Sequence, residues 1–424
     1  MRMIILISSR ERSLFYGIIG AVWAVASALG PVLGGVFAEK LTWRWCFWIN
    51  LPTDGVAALV LLFWLDVHNP RTPFLEGLRS IDWLGSVTVA GATVMLLLGL
   101  QYGGVQYPWA SATVICLIVF GVITLGIFFT TQFKLSPSPI MPFSIFGHAH
   151  NLSALAVCFF DAFVFNAVAY FVPLYFQTVL GASPLQSGVW MLALAIPLAV
   201  FSAAAGFLMH RTGRYLELLR GGLLLMTLGL GLCISFPSYT SWPRIICFLV
   251  IIGIGFGPNF HAPLIALQTR LQPKDIAAGT ATFGFIRMLA GAFGVVLGQV
   301  IFQGAMQGHL AGLLAAGVPR NEAEQLAKGS AITVEHGNST AEVAPWDSAV
   351  RQAKTESFSK MWILYTVASA LGLLVSFGIR KTKLSREHEV VKTGLATRDN
   401  GACESTAEKA GSTGGRQGNN GDKV

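Results

Sequence analysis

GIIGAVWAVASALGPVLGGVFAEKLTWRWCFWINL, residues 17–51, is the stretch that decides the fold. It is almost wholly apolar, and small residues, among them Gly20, Ser27, Pro31 and Gly34, recur at the spacing that places them on one face of a helix. Such a face lets a neighbouring helix approach the backbone closely, while Pro31 removes a backbone donor and bends the helix. We interpret the segment as a membrane helix at a joint between two helical bundles. Tight packing alone is the alternative interpretation.

The composition indicates an all-α polytopic membrane protein. Only 12% of the 424 residues are charged and 54% are hydrophobic, whereas soluble domains carry roughly 25% charged residues. Apolar runs of about 20 residues recur along the chain, and each is long enough to cross a bilayer. The net charge of +8 comes from basic residues scattered among short loops, which is typical of a membrane protein and not of a nucleic-acid-binding protein.

The apolar runs predict ten membrane spans. About fourteen Lys and Arg fall in the N-terminus, alternate loops and the start of the tail, against about three in the opposite loops. The positive-inside rule and the even number of spans therefore predict that both termini are cytoplasmic. The predicted spans are 15–38, 45–66, 81–101, 111–131, 151–175, 187–208, 217–236, 243–267, 280–302 and 359–379.

Two polar segments complete the predicted organisation. The long loop 303–358 is expected to face outward, and it contains Asn338 in an N-x-[ST] triplet, a candidate glycosylation site. The tail 380–424 is rich in Gly, Ser, Asn, Lys and Glu, so we expect it to be disordered and cytoplasmic.

Ionisable residues inside predicted spans are the candidate functional residues. Asp161 and Arg287 each cost about 2.5–3.5 kcal/mol at the centre of a span. Both lie about 10–15 Å from the cytoplasmic side in parallel spans, so they could meet. We expect Asp161 to bind and release a proton, with Arg287 as its partner. The alternatives are a permanent ion pair, or two charges held separately by backbone carbonyls and water. Asn166, about 140° around the helix from Asp161, is a weaker candidate.

Motifs of catalysis and of cofactor binding are absent from the sequence. The glycines at 253, 255 and 257 lie inside a span with no preceding strand, so close helix packing explains them better than a dinucleotide loop. The cysteines show no spacing typical of a metal site. We expect neither an enzyme nor a bound cofactor.

Several motifs resemble the major facilitator superfamily, specifically its fourteen-span drug:proton antiporter branch in fungi. WRWCFWINLP at 43–52 is similar to the segment that opens the sixth span of that branch, and YFVPLYFQTVLGASPLQSGV at 170–189 is similar to the start of its second bundle. Arg287 matches an arginine of its thirteenth span. The antiporter motif is matched by Gly20, Gly30, Pro31, Gly34 and Gly35, and the cytoplasmic loop motif by Gly206, His210, Arg211, Gly213 and Arg214. His210 replaces an aspartate of the loop motif.

The resemblance implies an N-terminally truncated antiporter that lacks about four spans. Its expected parts are a cytoplasmic remnant at 1–14, two spans of the first bundle at 15–66, two linker spans at 67–135 and a second six-helix bundle at 136–379. The implied function is proton-coupled export of small hydrophobic compounds such as drugs or secondary metabolites, and the implied partners are that substrate, protons and the lipid bilayer.

Three points stay open from the sequence. The plasma membrane is the expected location, with a vacuolar or vesicular membrane as the alternative. A truncated non-transporting relic or scaffold, and a facilitator that imports nutrients, are the alternative functions. The oligomeric state is not predicted.

Overall fold

The chain is helical throughout the described residues. A computed structural model describes residues 9–64, 75, 78, 81–104, 106–134, 141, 143–239, 241–272, 275–327 and 346–381. These residues form sixteen helices and no strand. The helices are α1 Ser9–Lys40, α2 Trp45–Trp48, α3 Asn50–Trp64, α4 Trp83–Tyr102, α5 Ala112–Lys134, α6 Phe143–Phe146, α7 Ala149–Thr178, α8 Pro184–Trp190, α9 Leu192–Thr212, α10 Leu216–Cys233, α11 Trp242–Asn259, α12 Ala262–Gln268, α13 Ile276–Gly308, α14 Leu310–Ala315, α15 Arg320–Ala327 and α16 Asp347–Ser376.

Ten helical segments of the described chain are long and apolar enough to cross a membrane. Three of them combine two helices each, namely α2 with α3, α8 with α9, and α11 with α12. This confirms the predicted all-α polytopic class. The core lies around α7, which packs against α12, α13 and α16, and around the segment of α11 and α12. By contrast, α3 has no buried residue.

The small-residue face of α1 packs against α8 and α9, and it differs from the predicted face at its C-terminal end, where Gly35 replaces Gly34. A Cβ on Gly17 would lie 2.7 Å from the Cα of Gly206, and one on Gly35 would lie 2.7 Å from the Cα of Leu185. No atom lies within 4 Å of the corresponding position on Gly34. Because Gly34 is about 100° from Gly35 around the helix, it falls outside the contact face.

Glycine contacts also hold α11 between two neighbours. A Cβ on Gly255 would lie 2.5 Å from the backbone nitrogen of Met226 in α10, and one on Gly257 would lie 2.8 Å from the backbone of Phe201 in α9. Gly253 meets the carbonyl of Leu194 in α9. The glycines at 253, 255 and 257 therefore serve close helix packing and not dinucleotide binding, as the sequence predicts.

The contact between α7 and α13 uses a further row of glycines. Gly291 lies beside the side chain of Asn166, and Gly294 lies against the carbonyl of Phe163. Gly298 lies against Tyr365 of α16, whose hydroxyl donates to the carbonyl oxygen of Gly294 at 2.8 Å. This row joins α7, α13 and α16 without intervening side chains on α13.

The predicted loop 303–358 contains helices that the hydropathy pattern did not reveal. α13 continues to Gly308, α14 and α15 follow, and α16 begins at Asp347, twelve residues before the predicted start of its span. The polar turns of α16 are stabilised inside the protein: buried Lys354 donates to the carbonyl oxygen of Thr178, and Arg351 pairs with Asp347 at 2.8 Å. Hydropathy marks the extent of the hydrocarbon and not the ends of helices. Asn338 and the tail from 382 onward lie outside the described residues.

Replacing Gly294 by alanine is expected to weaken the packing of α13 on α7. The new Cβ would lie 2.9 Å from the carbonyl carbon of Phe163, so one helix must shift at a cost of about 1–3 kcal/mol. Thermal denaturation of the solubilised chain should therefore show a lower Tm. Gly304→Ala on the same helix is the control, because no atom lies within 4 Å of its Cβ position. Equal Tm values for the two variants would contradict the close contact.

Candidate functional site

The span from Trp242 to Gln268 is broken in its C-terminal half. α11 ends at Asn259 and α12 begins at Ala262, which leaves Phe260 and His261 between them. Proline contributes to the break, since Pro263 has no N–H to donate to the carbonyl of Asn259, four residues earlier. The neighbouring carbonyl of Phe260 accepts no backbone hydrogen bond from a described residue. Broken helices of this kind expose backbone carbonyls inside a membrane protein, and these carbonyls need a donor from elsewhere.

Arg287 of α13 supplies that donor. Its Nη1 donates to the carbonyl oxygen of Phe260 at 3.1 Å. The guanidinium carbon lies 3.8 Å from the ring centroid of Phe260 and 6.0 Å from that of Trp23, a residue of α1. The rings of Trp23 and Phe260 are themselves 5.3 Å apart. Arg287 therefore joins the broken span to α1, and we call Arg287, Phe260, Trp23, His261 and Tyr16 the Arg287 junction.

Asp161 is buried but does not pair directly with Arg287. It is 4% exposed, and its Oδ1 has no hydrogen-bond partner among the described residues. No ion pair joins Asp161 to Arg287 among the described residues, and the guanidinium donates instead to the Phe260 carbonyl. Of the alternatives, separate partners fit Arg287 best.

His261 is a candidate that the sequence reasoning missed. Its ring stacks on Tyr16 with centroids 5.3 Å apart, and its Nε2 is buried without a hydrogen-bond partner in the described chain. A Cβ on Gly20 would lie 3.1 Å from that nitrogen, so only a glycine in α1 leaves room for the ring. The sequence could have revealed it, because His261 is an ionisable residue inside a predicted span, which is the criterion that selected Asp161 and Arg287.

Two hydrogen bonds of Gln268 extend the polar contacts of the Arg287 junction. Nε2 of Gln268 donates to the hydroxyl of Tyr16 at 3.2 Å and to Oγ1 of Thr280 at 3.0 Å. These bonds connect α12 to α1 and α13. The helix α1 is therefore held against its neighbours by a polar contact with α12 as well as by its glycine contacts with α8 and α9.

Asn166 is not part of the junction. Its Nδ2 donates to the carbonyl oxygen of Ala162 at 3.0 Å, within α7, and its side chain fills the space beside Gly291. The amide therefore packs at the contact between α7 and α13, and it does not extend a polar surface from Asp161.

The antiporter motif divides into contact and open positions. Gly20 faces His261 and Ser202, the carbonyl of Pro31 lies against Gly188, and Gly35 lies against Leu185. No atom lies within 4 Å of a Cβ placed on Gly30 or Gly34. Three of the five motif residues thus form the contact of α1 with the α8–α9 span.

The loop motif lies at the end of α9. Gly206 meets Gly17 of α1. Gly213 ends the helix in the left-handed conformation with φ of 69°, which favours glycine. The guanidinium of Arg211 lies 5.2 Å from the ring centroid of Phe207. His210 lies in the last turn of α9, and the backbone N–H of Arg214 donates to Oγ1 of Thr212.

Comparison with known proteins identifies the family. The family model described as Major Facilitator Superfamily matches residues 1–295. The chain is 44% identical over 399 residues to "Efflux pump dotC" of Dothistroma septosporum, an alignment that covers 92% of this chain and 66% of that protein. It is 42% identical to "MFS-type transporter ppz2" of Metarhizium majus, covering 94% of this chain and 68% of that protein. The chain thus spans about two thirds of the length of these curated relatives.

Among solved structures, a bacterial homologue of the human lysosomal transporter Spinster, in an inward-facing and occupied conformation, is 16% identical with a TM-score of 0.45, covering 88% of this chain and 89% of that chain. The family match extends over most of the sequence and includes α1, the broken span and the start of α13. The family and the relatives are transporters and not enzymes. The chain belongs to the Major Facilitator Superfamily.

Proposed function

We propose that this chain acts in proton-coupled export of small hydrophobic compounds. The observation that carries the proposal is the Arg287 junction, where a broken span meets α1 and the buried cation of α13. Broken helices and intramembrane charges at bundle interfaces are typical of substrate and ion pathways in secondary transporters. The relative in Dothistroma septosporum is named an efflux pump, which supports the outward direction.

The chain's architecture is proposed to follow the fourteen-span drug:proton antiporter branch. The helices α1 to α3 would belong to the first bundle, α4 and α5 would be linker spans, and α6 to α16 would form the second bundle. Both termini would be cytoplasmic, and the plasma membrane is the proposed location. Asn338 would then face outward, where glycosylation can occur.

Aromatic side chains support a hydrophobic substrate. The ring of Phe260 packs against those of Trp23 and Phe165, with centroids 5.3 Å and 5.9 Å apart. A compound that enters between α1 and the broken span meets these rings and a single cation. Such a surface favours flat apolar compounds of varied shape, because few hydrogen bonds fix the orientation of the ligand.

Asp161 is the proposed proton-binding residue. A proton from outside would neutralise its carboxylate and remove the attraction between this group and Arg287. Loss of that proton to the cytoplasm would restore the attraction. Since the two groups share no hydrogen bond, the change in charge can shift α7 against α13 without breaking a direct ion pair. This step would bias one arrangement of the bundles over the other.

Replacing Asp161 by asparagine is expected to abolish proton-driven export at normal membrane abundance, because the amide cannot exchange a proton. The measurement is efflux of a hydrophobic fluorescent dye from cells or vesicles under an imposed pH gradient. Glu217→Gln is the control, since Glu217 is an exposed carboxylate that pairs with Lys381. Undiminished export by Asp161→Asn would remove this acid from the mechanism.

Replacing Arg287 by methionine is expected to lower export by at least about tenfold, since the Phe260 carbonyl loses its donor and Asp161 loses the nearby positive charge. Arg287→Lys keeps the charge but not the fork geometry, so an intermediate rate is expected. The exposed Arg244→Met is the control. Full export by Arg287→Met, measured with the same dye, would show that the junction is structural.

Substitutions at Gly34 and Gly35, two neighbouring glycines of the antiporter motif, test whether the contact of α1 with α8 is needed for export. Gly35→Ala places a methyl group 2.7 Å from the Cα of Leu185, so α1 must move away from α8 and export should fall or become leaky to protons. Gly34→Ala adds a methyl group where no atom lies within 4 Å. Equal effects of the two substitutions on dye efflux and proton leak would contradict the role of this contact face.

A further inference from the structure

A cleft of about 470 Å³ lies between α4, α7 and α13, away from the Arg287 junction. On α13 it involves residues 292–303, and Gln299 is about 18 Å along the helix axis from Arg287. Its polar lining residues are Gln101, Tyr102, Gln106, Tyr170, Gln299 and Gln303. Ala292 and three valines of α13 form the apolar part of the lining. We call this space the glutamine cleft.

Two amides of the glutamine cleft have no partner among the described residues. Gln303 is only 7% exposed, and its side chain makes no hydrogen bond to another described residue. The Oε1 of Gln299 is buried and likewise unpaired within the described residues. Buried amides are nearly always hydrogen-bonded in folded proteins, and each unpaired one destabilises the fold. Their position along one side of a cleft therefore points to a ligand that pairs with them.

The chemistry of the lining defines that ligand. It contains four amides and two phenols, which donate and accept hydrogen bonds, and no charged residue. A charged ligand would lose its hydration without gaining a counter-ion. The valines and the tyrosine rings favour apolar faces, and the volume is in the range of sites for drug-sized molecules.

We propose that the glutamine cleft binds an uncharged aromatic compound that carries hydroxyl or carbonyl groups on its edge. The polar edge pairs with the amides of Gln299 and Gln303, and the ring faces pack on the valines and on Tyr170. The proposal does not rest on export, because it concerns binding at a place separate from Asp161 and Arg287.

The test uses the full chain in lipid nanodiscs and 7-hydroxy-4-methylcoumarin as the probe, with binding measured by equilibrium dialysis. We expect saturable binding of one probe per chain. Gln303→Leu and Gln299→Leu should each weaken binding of the probe by at least about tenfold. Each substitution leaves a polar group of the bound probe without its hydrogen-bond partner. Gln106→Leu, at the exposed rim, should weaken it less, and the exposed Gln352→Leu on α16 is the control.

Two competitor probes test the ligand class. The phosphate ester of the same coumarin is expected not to bind, since the cleft has no cation. Maltose, which represents a polyhydroxyl headgroup, is expected not to displace the coumarin. Binding of the ester with equal affinity, displacement by maltose, or unchanged binding in both buried-glutamine variants would overturn the proposal. If Gln303→Leu fails to fold, Gln299→Leu and Gln106→Leu decide the outcome.

Discussion

A backbone carbonyl inside a membrane protein must find a donor within the protein, and the Phe260 carbonyl finds it in Arg287. This bond links two features that are each costly alone: a broken span and a buried cation. It also fixes the guanidinium over the Phe260 ring and near Trp23, so that the Arg287 side chain of α13 approaches α1 at the break. Because Arg287 is held there, Asp161 and Arg287 share no direct hydrogen bond, and the proton binding that we propose for Asp161 would not require an ion pair to break.

Close backbone contacts at glycines hold the helices around that bond. Gly20 leaves room for the His261 ring, and Gly294 brings α13 against α7, the helix that carries Asp161. Van der Waals packing drives such contacts in lipid, where apolar side chains gain little from burial against one another. The small-residue face of α1 makes extensive contacts with both α8 and α9.

The sequence predicts the class of fold well and the site only in part. Ten spans follow from hydropathy alone, because every span must be apolar over about 20 residues. The packing role of Gly253, Gly255 and Gly257 follows from their position inside a span. Depth alone left open whether Asp161 and Arg287 pair, because depth says nothing about the Phe260 carbonyl, which lies at the break of another span and accepts a hydrogen bond from Arg287. The α1 face matches the prediction at Gly20 and Pro31 but ends on Gly35 instead of Gly34, because adjacent small residues offered alternative positions and only the neighbouring helices select one.

The most direct test of the account is active transport by the chain reconstituted in liposomes with an imposed pH gradient. The account predicts that a hydrophobic fluorescent dye moves against its own concentration gradient while protons move the opposite way, and that a proton ionophore stops both fluxes. Dye that only equilibrates, at a rate that the pH gradient and the ionophore leave unchanged, would contradict proton-coupled export.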